Sequence, residues 1–247
     1  MKCELCAYSL ETCHIAARLG INRVELCASP ADGGTTPSIA SIERASTISG
    51  IDVSVMIRPR GGDFLYTDEE FHTMLDDIVH ARKAGATGVV FGILTPDGHI
   101  DTARTRHLVE AAESMETTFH RAVDMTADYL QAVEDIISTG CTRILTSGGY
   151  DKASEGISNI THAVSLAAGR IEIMAGSGIN SSNALRLAST GVDALHFSAK
   201  RTIPSGMTYR NPRISMGGTE AVDEFALRTV DEEEVRKILK VVREQAR

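Results

Sequence analysis

Two arginines that follow a short apolar segment are the first residues whose types and spacing point to chemistry. The segment, residues 53–57, leads into Arg-Pro-Arg-Gly-Gly-Asp. Proline and a glycine pair end a strand and open a loop, so Arg58 and Arg60 are predicted at a strand end. Buried guanidinium groups need anionic partners. We therefore expect Arg58 and Arg60 to bind an anion, either the carboxylates of Glu4 and Glu25 or a ligand.

A repeated tripeptide predicts a second reactive feature. Glu-Leu-Cys occurs at residues 4–6 and again at 25–27, each time in an apolar segment. Side chains of a β-strand alternate between its two faces, so the glutamate and the cysteine of each copy share one face. If that face points inward in neighbouring strands, Cys6 and Cys27 lie within several ångströms of each other. The alternative interpretation is that each cysteine is an ordinary small core residue.

Polar or glycine-rich residues follow the other apolar segments as well. His120 ends one segment, His196 lies in the last, and glycine-rich turns follow the two segments between them. Backbone amides of such turns bind anions, phosphate in particular. The predicted anion-binding residues are Arg58, Arg60, Ser147, Gly148, Gly176, Ser177, Gly178 and Lys200. The candidate catalytic residues are Glu25, Arg58 and His120.

The segments that carry these residues alternate with helical patterns along the whole chain. Strands are predicted at residues 3–7, 23–27, 53–57, 88–93, 117–120, 143–146, 171–174 and 194–197. Helices are predicted at residues 9–19, 38–47, 67–85, 101–113, 128–139, 158–168, 181–189 and 231–245. The spacing of the strands, about 20 to 35 residues, is typical of repeated βα units.

Eight strands alternating with eight helices predict an α/β fold, a (β/α)8 TIM barrel, as a single domain over residues 1–247. A doubly wound open sheet is the alternative, but it usually has a glycine-rich turn after its first strand, where this chain has Ala-Tyr-Ser. TIM barrels hold their sites at the C-terminal ends of the strands. A long irregular segment, residues 201–227, is expected between strand eight and the C-terminal helix.

Composition restricts the partners of the protein. The 247 residues include 33 acidic and 25 basic side chains, a formal net charge of -8, which disfavours nucleic acid and anionic membranes. The N-terminus lacks a signal-peptide core, and five cysteines in a chain of this length indicate reduced thiols. We expect a cytoplasmic protein with no nucleic-acid or membrane partner and no nucleotide cofactor. A homo-oligomer, dimer or tetramer, is also expected.

Several longer motifs resemble the CutC copper homeostasis family, and together they cover essentially the whole chain. The motifs are Met-Ile-Arg-Pro-Arg-Gly-Gly-Asp-Phe-Leu-Tyr at 56–66, Glu-Leu-Cys at 25–27 with Gly-Gly-Thr-Thr-Pro-Ser at 33–38, Asp-Gly-His-Ile-Asp at 97–101, Thr-Phe-His-Arg-Ala at 118–122, Leu-Thr-Ser-Gly at 145–148, and Arg-Asn at 210–211 with Ser-Met-Gly at 215–217. One departure is Ser177, which stands where the family has the middle glycine of a turn.

The resemblance implies a cytoplasmic TIM barrel that is linked to copper tolerance and trafficking. It also implies Cu(I) as the bound ion, because the two cysteines put forward as ligands in the family match Cys6 and Cys27. Two thiolates are soft ligands that suit Cu(I). An alternative stays open: an enzyme or binder for a small phosphorylated or carboxylated metabolite, since two thiolates need neither arginines nor glycine-rich turns. No reaction can be assigned to it. An interaction scaffold is favoured least, because the polar residues concentrate at strand ends.

Overall fold

The fold is a closed barrel of eight parallel strands that alternate with helices. The computed structural model describes residues 1–211, 213–214 and 223–245. The barrel strands are β1 (Lys2–Ala7), β2 (Arg23–Leu26), β3 (Asp52–Met56), β4 (Gly88–Phe91), β5 (Glu116–Phe119), β6 (Arg143–Thr146), β7 (Glu172–Gly176) and β8 (Ala194–Phe197). The helices are α1 (Leu10–Leu19), α2 (Ile39–Ser46), α3 (Asp68–Lys83), α4 (Thr102–Ala112), α5 (Tyr129–Thr139), α6 (Ile157–Ala167), α7 (Ala184–Ala188) and α8 (Glu232–Gln245). The predicted TIM barrel is confirmed.

Local sequence signals determine where the helices begin and end. Thr67 and Glu70 make both hydrogen bonds of a capping box at the start of α3. Ser9 caps α1 by accepting a hydrogen bond from the Thr12 amide, and Gly20 ends the same helix in the left-handed conformation. In the described part of the chain, no helix is both long and apolar enough to cross a bilayer.

The register of the strands brings particular polar residues to the same level of the barrel. Barrel closure places β1 between β2 and β8. Glu4 is therefore level with Arg23 on one side and with His196 on the other. Cys6, two residues further along β1, is level with Glu25. Because residues two apart share a strand face, Glu4 and Cys6 point to the same side of β1.

The N-terminal end of the barrel interior is filled by a buried ion network. Arg23 and Arg143 are both buried there. Arg143 binds Glu172 and Glu116, each at 2.7 Å, and Arg23 binds Glu4. Removing one member of such a network leaves a charge without compensation, which is costly in a protein interior. The network forms a rigid floor below the C-terminal ends of the strands.

The structure differs from the sequence prediction at the long segment after β8. The prediction of an irregular stretch over residues 201–227 is wrong at both ends, because β9 (Lys200–Pro204) pairs antiparallel with β10 (Ala226–Val230). Strands that lie this far apart in the chain give no local hairpin signal. Residues 212 and 215–222 of the segment, which include the Ser-Met-Gly motif, lie outside the described residues.

Two smaller differences lie at helix starts. A 3-10 helix, Arg121–Met125, follows β5, and His120 caps it instead of ending the strand. Helix α7 begins at Ala184, three residues later than predicted. The reason is that Glu234 of α8 accepts hydrogen bonds from both the amide and the hydroxyl of Ser181. Such side-chain bonds compete with the hydrogen bonds of a helix.

Candidate functional site

A cavity of about 850 Å³ lies at the C-terminal ends of the barrel strands. This is the end at which TIM barrels bind their ligands. The cavity wall is built from strand ends, from the loops that follow them, and from β9 and β10. Among the residues predicted from the sequence, it brings together Cys6, Glu25, Arg58, His120, Ser177, Gly178 and Lys200.

The two thiols of the Glu-Leu-Cys repeat meet at this cavity. Cys6 and Cys27 pack in one buried cluster with Met56 and Val90. Cys6 lines the cavity, and the sulfur of Cys27 lies 3.5 Å from Glu25 Oε2. A hydrogen bond from Cys27 holds the pKa of Cys6 well below its ordinary value, while the same bond raises the pKa of Cys27. Of the two thiols, Cys6 is therefore the one that ionises more readily.

His196 lies between the two glutamates of the repeat. Its Nδ1 is 2.8 Å from Glu4 Oε1, and its Nε2 is 3.6 Å from Glu25 Oε2. Burial lowers the pKa of His196, but the charge of Glu25 and the contacts with Cys6 and Glu4 raise it well above the ordinary value. Ligand atoms of Cys6, Glu25 and His196 all lie within 4.8 Å of one another. This corner of the cavity thus presents sulfur, oxygen and nitrogen donors at a spacing that fits one metal ion.

The pKa values of the two glutamates are shifted in opposite directions. Burial favours the neutral form of Glu4, but the hydrogen bond and charge of His196, together with Arg23, lower the pKa of Glu4 to about 2. Burial raises the pKa of Glu25 to about 8. The charge of His196 lowers this pKa, whereas the charges of Cys6 and Glu4 raise it further. Glu25 Oε1 is buried without a hydrogen-bond partner among the described residues. A carboxyl group whose pKa lies this close to neutral pH can act as an acid or as a base.

Arg58 lines the cavity with a guanidinium group that is held by backbone oxygens. Nη1 donates to the carbonyl oxygens of Asp32 and Gly34 at 2.6 and 2.9 Å, and Nη2 donates to that of Gly62 at 2.8 Å. The residue is 6% exposed, and no partner for its Nε is found in the part of the chain that the structure describes. These three carbonyls fix the orientation of the group without neutralising its charge.

Arg60 lies outside the cavity, although it is only two residues from Arg58. Its Nε is 2.6 Å from Glu70 Oε1, and its Nη2 is 3.0 Å from Asp63 Oδ1. The sequence left open whether Glu4 and Glu25 neutralise the two arginines. They neutralise neither, because Glu4 binds Arg23 and His196 and Glu25 lies beside His196.

His120 supplies a neutral ring to the cavity wall. Its Nδ1 accepts a hydrogen bond from the Ala122 amide at 3.2 Å, so the ring proton resides on Nε2. Burial, followed by the charge of Arg58, lowers the pKa of His120 to about 3. The ring packs against Phe64 with the centroids 4.9 Å apart. Gly92 is required beneath it, because a Cβ at that position would lie 2.5 Å from His120 Nδ1.

The glycine-rich turn after β6 already holds a carboxylate, that of Asp124. The amides of Ser147 and Gly149 donate to it at 2.9 and 3.0 Å, and the Thr146 hydroxyl donates at 2.6 Å. The Gly148 amide donates to Thr146 Oγ1 at 2.9 Å. The turn binds an anion, but that anion is the protein's own side chain. Ser147 and Gly148, predicted as ligand-binding residues, are therefore occupied within the fold.

The turn after β7 contributes differently from what its glycines suggest. Gly176 provides room for its neighbours, because a Cβ there would lie 2.5 Å from Leu145 Cδ1 and 3.3 Å from the Cβ of His196. Ser177 has a φ of 80°, the left-handed conformation that the family glycine would adopt more easily. Ser177 and Gly178 line the cavity together with Lys200, which is exposed at the start of β9.

Sequence reasoning missed the roles of three residues at this end of the barrel. Tyr8 lines the cavity, and its hydroxyl contributes to lowering the pKa of Cys6. Glu4 binds His196 rather than an arginine of the loop, and the pair forms because barrel closure brings β1 beside β8. Asp124 occupies the turn after β6, and the spacing of the sequence carries no signal for that contact.

Comparisons with known proteins agree with the motifs and the fold. A family model described as CutC family matches residues 1–201. A CutC family protein of Bacteroides fragilis is 48% identical over 224 residues, which are 90% of this chain and 89% of that protein. The structure of the copper homeostasis protein CutC from Streptococcus agalactiae has a TM-score of 0.75 and 38% identity, covering 79% of this chain and 97% of that chain.

A more distant structure shares the fold alone. Thiamine phosphate pyrophosphorylase from Pyrococcus furiosus has a TM-score of 0.60 at 14% identity, covering 98% of this chain and 96% of that chain. The evidence for the family of this chain is the family model, together with relatives that are more than one third identical. From these findings, the chain belongs to the CutC copper homeostasis family.

Proposed function

We propose that this protein takes part in copper homeostasis by binding Cu(I) between Cys6 and Cys27. The observation that carries the proposal is the contact between these two thiols at the wall of the cavity, where the pKa of Cys6 is lowered. Thiolate sulfur is the donor that Cu(I) prefers. The donor set fits the ion, because the Cys6 sulfur lies within 4.8 Å of a His196 nitrogen and a Glu25 oxygen. The second sulfur, that of Cys27, packs in the same buried cluster as Cys6 and lies 3.5 Å from Glu25 Oε2.

His196 is the third candidate ligand in this proposal. Its Nδ1 is hydrogen-bonded to Glu4, and its Nε2 lies on the side of Glu25 and Cys6. A carboxylate on the outer nitrogen fixes the orientation of a ligand histidine and increases its basicity. In this proposal Cys6 and Cys27 bind the ion, His196 supports it, and Glu4 positions His196. Copper is the cargo of the site.

Copper loading of the reduced protein tests this function. We expect the double variant Cys6→Ser, Cys27→Ser to lose more than the ~10- to 100-fold in affinity that removal of a supporting residue costs, measured by competition with a Cu(I) chelator. Cys13→Ser with Cys141→Ser is the matched control, because it also removes two buried thiols, neither of which lines the cavity. Wild-type affinity in the first double variant would exclude this site.

A cytoplasmic location and a homo-oligomeric state, dimer or tetramer, belong to the same proposal. All five cysteines are free and buried, which agrees with a reducing compartment. The oligomeric state stays a prediction, and light scattering on the purified, reduced protein measures it directly. A monomer at all concentrations would contradict the oligomer and would leave the copper site unaffected.

A further inference from the structure

The cavity is far larger than a copper ion needs, and a buried charge on its wall is unbalanced. Arg58 is 6% exposed and its guanidinium contacts three backbone carbonyls. No ion pair of Arg58 with a carboxylate is found among residues 1–211, 213–214 and 223–245. A buried charge is costly unless an opposite charge compensates it. Arg58 therefore has no anionic partner among the described residues.

A second unused donor lies next to it. His120 is 5% exposed, and its ring proton resides on Nε2, since Nδ1 accepts from the Ala122 amide. That Nε2 has no partner among the described residues. Burying a donor without a hydrogen bond costs about 1 to 3 kcal/mol. Two neighbouring side chains of one cavity wall thus each bury a donor that nothing in the described structure satisfies.

Phe64 holds these two side chains together. The guanidinium carbon of Arg58 is 5.1 Å from the centroid of the Phe64 ring, and the His120 ring centroid is 4.9 Å from it. The charge of Arg58 also lowers the pKa of His120, so the two groups are electrostatic neighbours. Because three carbonyls, the 3-10 helix and Phe64 fix both side chains, the two donors are oriented before a ligand arrives.

We propose that Arg58 and His120 form an anion-binding subsite that holds the carboxylate or phosphate group of a small-molecule ligand inside the cavity. This goes beyond copper binding, because the subsite contains no thiol and needs no metal. A guanidinium group recognises carboxylate and phosphate through charge-assisted hydrogen bonds, and the neutral imidazole adds one donor. Lys200, exposed at the start of β9, also lines the cavity and adds positive charge to it.

Calorimetric titration of the reduced, metal-free full chain tests the subsite, with inorganic phosphate and acetate as separate probes. We expect saturable binding of at least one of them, and a loss of about tenfold or more in Arg58→Lys, which keeps the charge but not the planar donors. Arg60→Lys is the matched control: the same substitution two residues away, at a side chain outside the cavity, should change the affinity less than twofold. Binding of phosphate alone, or of acetate alone, identifies the group that the subsite prefers.

A second measurement does not depend on how well the Arg58 variant folds. In the wild-type protein, the NMR signal of the His120 Nε2–H group should shift on addition of the bound anion. The Cys6→Ser, Cys27→Ser protein should still bind the anion saturably, which separates this subsite from the copper site. Absence of binding by the wild type, an equal loss in Arg60→Lys, or an unchanged His120 signal would each overturn the proposal.

Discussion

His196 Nδ1 lies 2.8 Å from Glu4 Oε1, across the contact at which the first and last strands of the barrel pair. The other oxygen of Glu4 binds Arg23 Nε. One carboxylate therefore connects the imidazole at the cavity with the ion network at the floor of the barrel. A carboxylate in this position fixes the ring of a metal-binding histidine. Glu4 is thus a positioning residue for the site as well as a structural one.

Replacement of Glu4 tests its structural part. We expect Glu4→Gln to reduce the free energy of unfolding by about 3 kcal/mol, because it removes the one buried carboxylate that binds both Arg23 and His196. Arg23 then keeps only its longer contacts with Glu116 and Glu172, at 3.5 and 3.7 Å. Urea unfolding followed by circular dichroism measures the loss. Glu134→Gln is the control, because its pair with Arg170 is exposed and contributes far less. Equal losses in the two variants would contradict the role of the buried pair.

Features that depend on residues close in the chain could be predicted from the sequence. The capping box of Thr67 and Glu70 and the stop at Gly20 use residues within one turn of each other, so the motif predicts the contact. The meeting of Cys6 and Cys27 could be predicted as well. In a barrel of βα units, the first two strands are neighbours, and the repeated tripeptide sets which faces they share.

Contacts that depend on the closed barrel or on loop conformation could not be predicted in the same way. The partners of Arg58 are backbone carbonyls, which every residue offers and no motif marks. Asp124 belongs to the 3-10 helix that follows β5, and this helix brings the Asp124 carboxylate to the amides of the turn after β6. So short a helix has no hydrophobic periodicity by which the sequence could indicate it. The pairing of β9 with β10 joins strands that a long connection separates in the chain, so no short turn motif indicates it.

The buried imidazole of His120 predicts a loss of stability in acid. Burial and the charge of Arg58 lower its pKa to about 3, against 6.5 as the ordinary value. Above pH 6.5 the ring is neutral in both the folded and the unfolded chain, so its effect on stability does not change with pH. Between pH 6.5 and 3 only the unfolded chain binds the proton, which reduces the free energy of unfolding by about 1.4 kcal/mol per pH unit.

His120→Asn removes this titration and retains a side chain that can cap the 3-10 helix. We expect the unfolding free energy of the variant, measured in urea across this pH range, to fall less steeply than that of the wild type. His162→Asn, at an exposed position of α6, controls for removal of an imidazole from the surface. A His120→Asn slope equal to the wild-type slope would show that the folded protein protonates this ring.

Gly92→Ala tests the fixed position of the His120 ring. The added Cβ would lie 2.5 Å from Nδ1 and 2.6 Å from Cε1 of the ring, so the ring must move. We expect a loss of about 1 to 3 kcal/mol in the free energy of unfolding, together with weaker phosphate binding. Gly206→Ala is the control, because its Cβ would meet no atom within 4 Å. Full phosphate affinity in a destabilised Gly92→Ala protein would show that the subsite does not depend on the position of the ring.

The internal carboxylate of Asp124 allows a rescue experiment. Asp124→Ala leaves the amides of Ser147 and Gly149 and the hydroxyl of Thr146 without their acceptor. Hydrogen bonds to a charged group contribute about 1.5 to 3 kcal/mol each, so we expect a loss of about 3 kcal/mol or more in the free energy of unfolding. Acetate carries the same carboxylate group as the missing Asp124 side chain. A ligand that binds only the folded state increases the free energy of unfolding.

The urea midpoint should therefore increase more for Asp124→Ala than for the wild type when sodium acetate replaces sodium chloride at equal ionic strength. The wild type is the reference because acetate bound at Arg58 and His120 would stabilise both proteins. Asp128→Ala is the second control: it removes a carboxylate that caps α5 through the single amide of Gln131, and it creates no comparable group of unpaired donors. Equal gains from acetate in all three proteins would show that the turn after β6 is not an anion site in its own right.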